Sequence, residues 1–470
     1  MISPEARQRF ISIVGQESYY DSKADLLAYS YDATPGFQAL PDAVLAPSCT
    51  EDVKKIVEVC SSYNIPIVPR GSGTNLCGGT CPTQGGIVLL FHKMNKILEI
   101  DEDNLTATVQ PGVITLNFIT EVEKRGLFYP PDPSSMKIST LGGNISENSG
   151  GLRGLKYGVT RDYVLGLEVV LANGDIIKTG GKLAKDVAGY DLTRLFVGSE
   201  GTLGIVTEAT LKLIPKPQSK KTALALYNDL ESAARSVSSI IAHKIIPTTL
   251  EFLDQPTLQV VEDFAHIGLP TNVEAVLLIE QDGPLHIVEK EMDSIASLCQ
   301  AHGAISVDVA SSEEHAEALR TARRSALSAL ARLKPTTILE DATVPRSQVA
   351  KMVLSIKEIA QKYNITICTF GHAGDGNLHP TCLTDERNKE EMHRVEQAFE
   401  DIFARALELG GTITGEHGVG EMKAPYLEWK LGEEGIKAMQ NLKKSFDPQN
   451  ILNPGKLFAK DTKKRVVISS

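Results

Sequence analysis

Three glycine-dense stretches constrain this chain more than any other feature. Residues 65–80 read IPIVPRGSGTNLCGGT, residues 140–151 read TLGGNISENSGG, and residues 198–204 read GSEGTLG. In the first, an apolar strand from Ile65 to Val68 runs into Gly71 and Gly73. Glycine adopts positive φ at little cost and lets the backbone approach a ligand closely. Successive N–H groups in such a turn make a concave anion site that suits a pyrophosphate, although a plain tight turn between strands would use the same residues. The stretch is not a P-loop, because no Gly-Lys-Ser/Thr closes it. It is not a Rossmann fingerprint either: Leu76 stands where the third glycine belongs, and Gly78-Gly79 continue the loop where a helix should begin. In the second stretch, Gly142, Gly143, Gly150 and Gly151 leave room for a large flat ligand. Ser139, Thr140 and Asn144 offer hydrogen-bonding groups to its polar edges.

At 470 residues the chain is too long for one ordinary core. Pro215 and Pro217, followed by Ser219-Lys220-Lys221, mark a boundary. Before it, helices are expected at 51–62 and 114–126, strands at 65–68, 86–91 and 105–110, and a hairpin turning at Asn173-Gly174. After it, helical patterns at 229–243, 286–302, 313–333 and 346–363 alternate with strands near 222–226, 275–280, 304–309 and 366–370. That is an α+β arrangement, with a hint of two copies of one βαβ-like unit. A last helix is expected at 434–446. A net charge of −11 argues against a nucleic-acid partner. The Lys463-Lys464-Arg465 run reads as a solvated tail. No apolar run reaches the roughly 18 residues of a membrane span, and no signal-peptide core is present. Seven scattered cysteines fit a reducing compartment, so a cytoplasmic protein is expected, with peripheral attachment to a membrane as the alternative. Cys77 and Cys81 have no second pair to complete a zinc site, and no cysteine set could hold an iron–sulfur cluster.

Residues 366–381 read TICTFGHAGDGNLHPT. If Asp375-Gly376 forms a two-residue turn, His372 stands directly opposite His379 on one face of a hairpin. Two imidazoles so placed can share a divalent ion. Residues 412–420, TITGEHGVG, supply a glycine-flanked Glu416-His417 pair as a source of further ligands. Two histidines and a carboxylate leave coordination positions open, as catalytic sites require. The alternative is that these side chains merely cap loop ends. Imidazole and carboxylate ligands suit Zn, Fe or Mn without choosing among them.

Taken together, these segments resemble the vanillyl-alcohol-oxidase-type flavoproteins, and within them the FAD-linked 2-hydroxy-acid dehydrogenases, the branch of glycolate oxidase flavoprotein subunits and D-lactate dehydrogenases. The resemblance rests on Pro69-Arg70-Gly71-Ser72-Gly73-Thr74, Asp132-Pro133-Ser134-Ser135, Thr140-Leu141-Gly142-Gly143-Asn144, Gly150-Gly151, Lys156-Tyr157-Gly158, the 198–204 stretch and Asn453-Pro454-Gly455-Lys456. It covers nearly the whole chain. It implies an α+β fold in three parts: a two-subdomain FAD-binding domain at 1–218, an α+β substrate (cap) domain with a metal site at 219–420, and a helical segment at 421–470 that returns to the FAD domain.

The resemblance also implies that FAD is bound non-covalently. Its contacts would be the segment Pro69 to Asn75 (Arg70, Ser72 and Thr74 besides the two glycines), then Gly78, Gly79, Pro133, Ser139, Thr140, Gly142, Gly143, Asn144, Gly150, Gly151, Gly201, Gly204, Ile205, Val206 and Asn453. It makes His372, His379 and Glu416 the metal ligands, His417 the base, and Arg323 the group that grips the substrate carboxylate. The 2-hydroxyglutarate branch has a lysine where this chain has Leu339. The implied reaction is oxidation of glycolate or D-lactate, with electrons passed to an iron–sulfur subunit, a second flavoprotein subunit or an electron-transfer flavoprotein. A D-2-hydroxyglutarate-type dehydrogenase and a non-catalytic flavin relay subunit are the alternatives.

Overall fold

A computed structural model describes residues 2–458. The basic run at 463–465 lies outside the described residues. Two small sheets precede residue 213. In the first, Tyr19–Tyr20, Ala43–Leu45, Ile87–Leu90 and Ile67–Arg70 lie side by side in that order. Its last three strands are parallel. The helix Thr50–Tyr63 packs on it through Val53, Ile56, Val57 and Cys60, the i, i+3, i+4, i+7 set that the periodicity predicts. Asn64, at φ 52°, ends that helix in the left-handed conformation. The second sheet is antiparallel, in the order Ile97–Asp101, Thr106–Val109, Ile205–Lys212, Val164–Val170, Ile176–Gly180.

The expected hairpin within this second sheet is present, but its turn differs. Leu171 N–H donates to Asp175 O, so three residues close the loop, with Gly174 at φ 86°. A type I turn followed by a left-handed glycine does this without the two-residue form that Asn-Gly favours.

The third sheet has eight strands and is antiparallel throughout. Its first half runs Ser306–Val309, Ser219–Tyr227, Ala275–Gly283, Thr249–Asp254. Strand Ser219–Tyr227, helix Leu230–Ala242 and strand Thr249–Asp254 form one split βαβ unit; strand Ala275–Gly283, helix Leu285–Ala301 and strand Ser306–Val309 form the other. Each unit inserts a strand between those of its partner, which explains the expected doubling. The second half adds Thr366–His372, Asn377–Thr384 and Thr336–Leu339, with the short strand Ala342–Thr343 also paired to Asn377–Thr384. One face, with Ala225, Leu250, Leu277 and Cys382, packs under Leu230–Ala242, Leu285–Ala301, Val349–Tyr363 and Lys389–Glu408. The other, with Leu253, Val276, Leu339 and Phe370, packs against Gln255–Ala265 and Ala326–Leu330.

The expected C-terminal helix is longer, Ala424–Phe446, and broken at Gly432, whose φ of 69° is not helical. Beyond it the chain returns to the first sheet, where Ile67 N–H donates to Ile451 O and Asn453 N–H donates to Ile67 O. Among the described residues, no helix is long and apolar enough to cross a membrane.

The histidine hairpin is closed by four residues rather than two. His372 pairs with Asn377 and Phe370 with His379, so the two histidines are diagonal neighbours. This two-residue offset from the expected register preserves the face each side chain occupies, because strand side chains alternate with period two. Gly376 makes the turn possible: at φ 90°, a Cβ there would lie 2.0 Å from Val344 O. Gly376→Ala should therefore lower stability by about 2 kcal/mol or more. The control is Gly126→Ala, where φ is 71° but nothing lies within 4 Å. It should cost only about 1 kcal/mol. Urea unfolding of both variants checks the difference.

Candidate active site

The glycine stretches converge because each lacks a side chain where another segment must pass. A Cβ on Gly71 would lie 2.2 Å from Thr140 Oγ1, and one on Gly201 would lie 2.4 Å from Pro69 Cγ. Together they wall a cavity of about 1110 Å³. All the residues expected at the flavin line it except Gly78 and Gly151. Those two sit just behind the wall: Gly78 N–H donates to Thr34 Oγ1, and Gly151 lies against the Asp132 backbone. Neither Cys77 nor Cys81 lines the cavity. Asn453 reaches in from the returning segment; its Nδ2 donates to Gly79 O and Glu200 O, and its Oδ1 is buried without a partner.

His379, Glu416, His417 and Arg323 also line this cavity, while His372 lies one layer behind. His372 Nε2 and His379 Nε2 are each 3.3 Å from Glu416 Oε1. The ligand atoms of all three residues lie within 4.8 Å of one another. Gly150 admits this cluster: a Cβ there would lie 2.5 Å from Glu416 Oε2. The donor set therefore fits a divalent cation, two imidazole nitrogens facing one carboxylate. The surrounding charge agrees. Burial disfavours charge on His372, but Glu251 and Glu416 outweigh it and hold the imidazole well above its usual range. His417 stacks on His379 with ring centroids 5.1 Å apart and planes at 13°. Burial pushes its pKa down to about 4, against the pull of Asp341, so the ring is neutral at physiological pH.

Several residues that hold this arrangement are not among those the motifs singled out. Asp341 Oδ2 accepts the backbone N–H groups of Gly415, Glu416 and His417 at 2.7, 2.8 and 3.2 Å. Its other oxygen meets Lys423 Nζ. Burial opposes ionisation of Asp341, but Lys423 and His417 hold its carboxyl well below the usual range. Glu200 accepts from Val419 and Gly420, both at 2.7 Å, and so anchors the same loop. On the cavity wall, burial and the neighbouring Glu200 push the Glu147 carboxyl well above its usual range. Arg323 lies 4.8 Å from the Phe370 ring centroid and is ion-paired to Glu251. Its Nε has no hydrogen-bond acceptor. Leu76, Leu327, Leu339 and Phe370 form an apolar patch of the same wall.

A cavity of this size, walled by glycine loops and edged by convergent acid–base groups, fits a large flat cofactor held beside a reacting substrate. A family model of the FAD binding domain matches residues 41–180, and one of the C-terminal domain of FAD linked oxidases matches residues 216–457. The chain belongs to the FAD-linked oxidase family. It is 72% identical over 467 residues, 99% of either chain, to the glycolate oxidase subunit GlcD of Bacillus subtilis. It is 36% identical to a D-lactate dehydrogenase of Anaerostipes hadrus, over 98% of each chain. A solved structure of p-cresol methylhydroxylase superposes with a TM-score of 0.79 at 20% identity, covering 96% of each chain. That likeness establishes the vanillyl-alcohol-oxidase-type α+β fold expected from the motifs.

Asp341→Ala should remove the acceptor of three amides and unpair Lys423 from one of its two carboxylates. A loss of about 3 kcal/mol is expected from breaking a buried pair. The Asp341 contribution is present above the ordinary carboxylate pKa of about 3.9 and is lost only as pH falls through the depressed folded value. The difference between wild type and variant in urea should therefore be constant from pH 6 to 8.

Proposed function

We propose that this chain oxidises a small 2-hydroxy acid, glycolate or D-lactate, to the 2-oxo acid, using non-covalent FAD and a divalent metal. The observation that carries the reading is the convergence of His372 Nε2, His379 Nε2 and Glu416 Oε1 at the edge of the flavin cavity, beside Arg323. We read residues 1–218 and 421–470 as the flavin-holding part and 219–420 as the part carrying the metal ligands. His372, His379 and Glu416 would hold the metal, which suits Zn, Fe or Mn. Arg323, whose Nε has no hydrogen-bond acceptor, would grip the substrate carboxylate. His417, neutral and stacked on His379, takes the hydroxyl proton. When bound, the cation lowers the pKa of the substrate hydroxyl and FAD accepts the hydride from its carbon.

The apolar patch of Leu76, Leu327, Leu339 and Phe370 favours a monocarboxylate, because Leu339 stands where the 2-hydroxyglutarate branch has a lysine. Both cysteines near the first glycine loop lie off the cavity wall, which supports non-covalent flavin. Electrons leave the reduced flavin to a separate carrier, an iron–sulfur subunit, a second flavoprotein subunit or an electron-transfer flavoprotein. The chain has no cysteine set of its own for a cluster. The name of the Bacillus subtilis relative, a subunit, supports this reading. A cytoplasmic setting, with peripheral membrane attachment as the alternative, accords with seven free cysteines.

Anaerobic mixing tests the activity. Glycolate or D-lactate should bleach the yellow protein, and D-2-hydroxyglutarate should do so poorly. Bleaching by D-2-hydroxyglutarate alone would assign the larger substrate, and no bleaching by any of the three would leave only a relay role. His417→Asn should keep its FAD and slow bleaching by roughly 10²–10⁴-fold, the usual loss with a general base. A slowdown of less than about tenfold would assign the proton transfer to another group.

A further inference from the structure

Glu251 belongs to no motif and is completely buried in the strand Thr249–Asp254. That strand pairs with Thr366–His372, Phe252 opposite Gly371, which sets Glu251 beside the histidine hairpin. One carboxylate oxygen, Oε1, lies 2.6 Å from His372 Nδ1. The other, Oε2, lies 2.5 Å from Arg323 Nη2. A buried carboxylate is costly unless both oxygens are compensated. Here the two compensating groups are a metal-cluster histidine and the guanidinium that faces the substrate.

We propose that Glu251 is a positioning residue that couples metal binding to substrate binding, resting on the metal reading above. By accepting from Nδ1–H, its Oε1 fixes the His372 tautomer that leaves the Nε2 lone pair toward Glu416 and His379. Through Oε2 and Nη2 the same charge holds the Arg323 guanidinium on the Phe370 ring, with Nε left for a ligand carboxylate. An amide cannot do both. In Glu251→Gln, an amide oxygen turned to Arg323 points the NH₂ at His372 Nδ1 and favours the tautomer with a proton on Nε2, which cannot ligate. Turned to His372, the NH₂ faces a guanidinium that carries only donors, and Arg323 must move.

The test measures Zn²⁺ affinity by competition with a chromophoric chelator, on purified protein with its FAD content and melting temperature recorded. Glu251→Gln should bind Zn²⁺ about tenfold to a hundredfold more weakly than wild type and show a raised KM for glycolate, at unchanged FAD content. Because the single variant leaves Arg323 buried without an anion, the pair Arg323→Met and Arg323→Met/Glu251→Gln is measured as well. Removal of the cation lets the double variant fold, and its Zn²⁺ affinity should still fall below that of Arg323→Met. Affinities within about threefold of their references in both comparisons overturn the coupling alone. Wild-type protein that binds no Zn²⁺ overturns both the coupling and the metal reading beneath it.

Discussion

The Asp341 carboxylate is the fixed point on which the site depends. Three consecutive backbone N–H groups and a buried lysine converge on it, so the turn carrying Glu416 and His417 has one conformation. A charged acceptor with several donors in a low-dielectric interior is worth more than the same bonds in water. The turn is irregular and glycine-flanked, and would otherwise be among the softest parts of the molecule. Glu200 repeats the device two residues further on, binding the amides of Val419 and Gly420. Glu200 itself comes from a glycine stretch of the flavin cavity wall, so the loop is held from both sides of that cavity.

Glycine does the opposite work, removing obstacles rather than supplying bonds. Gly150 lets Glu416 lie against the segment that walls the flavin cavity. Gly415 similarly admits Asn377, from the histidine hairpin, and Thr343. These absences of side chain let a hairpin of the eight-stranded sheet, a turn preceding the C-terminal helix and the flavin loops meet at one wall. His379, Glu416, His417 and Arg323 then line one cavity with the glycine loops, as the proposed removal of hydride and proton from adjacent atoms would demand.

Much of this was legible in sequence because it is local. Helix Thr50–Tyr63, the glycine loops and the histidine hairpin announce themselves through periodicity or turn chemistry within a few residues. The hairpin shows how such reading can err in detail and still reach the site. The turn is two residues longer than Asp375-Gly376 implied, yet His372 and His379 remain on one face because the error is even. The supporting carboxylates were not legible. Glu251 lies on a strand read as part of no element, and its partners are 72 and 121 residues away in sequence. Asp341 acts on the backbone of residues 415–417, which leaves no pattern of residue types to detect. Non-consecutive strands and backbone acceptors are what a linear reading sees least.

The central claim is that the two histidines and Glu416 hold a divalent cation that flavin reduction requires. Elemental analysis of the purified protein, paired with rapid-mixing measurement of flavin reduction before and after chelation, tests it most directly. The account predicts about one divalent ion per chain and retention of FAD after chelation. It also predicts loss of reduction by glycolate or D-lactate on chelation and recovery when the ion is restored. Metal-free protein that reduces its flavin at the full rate would contradict it.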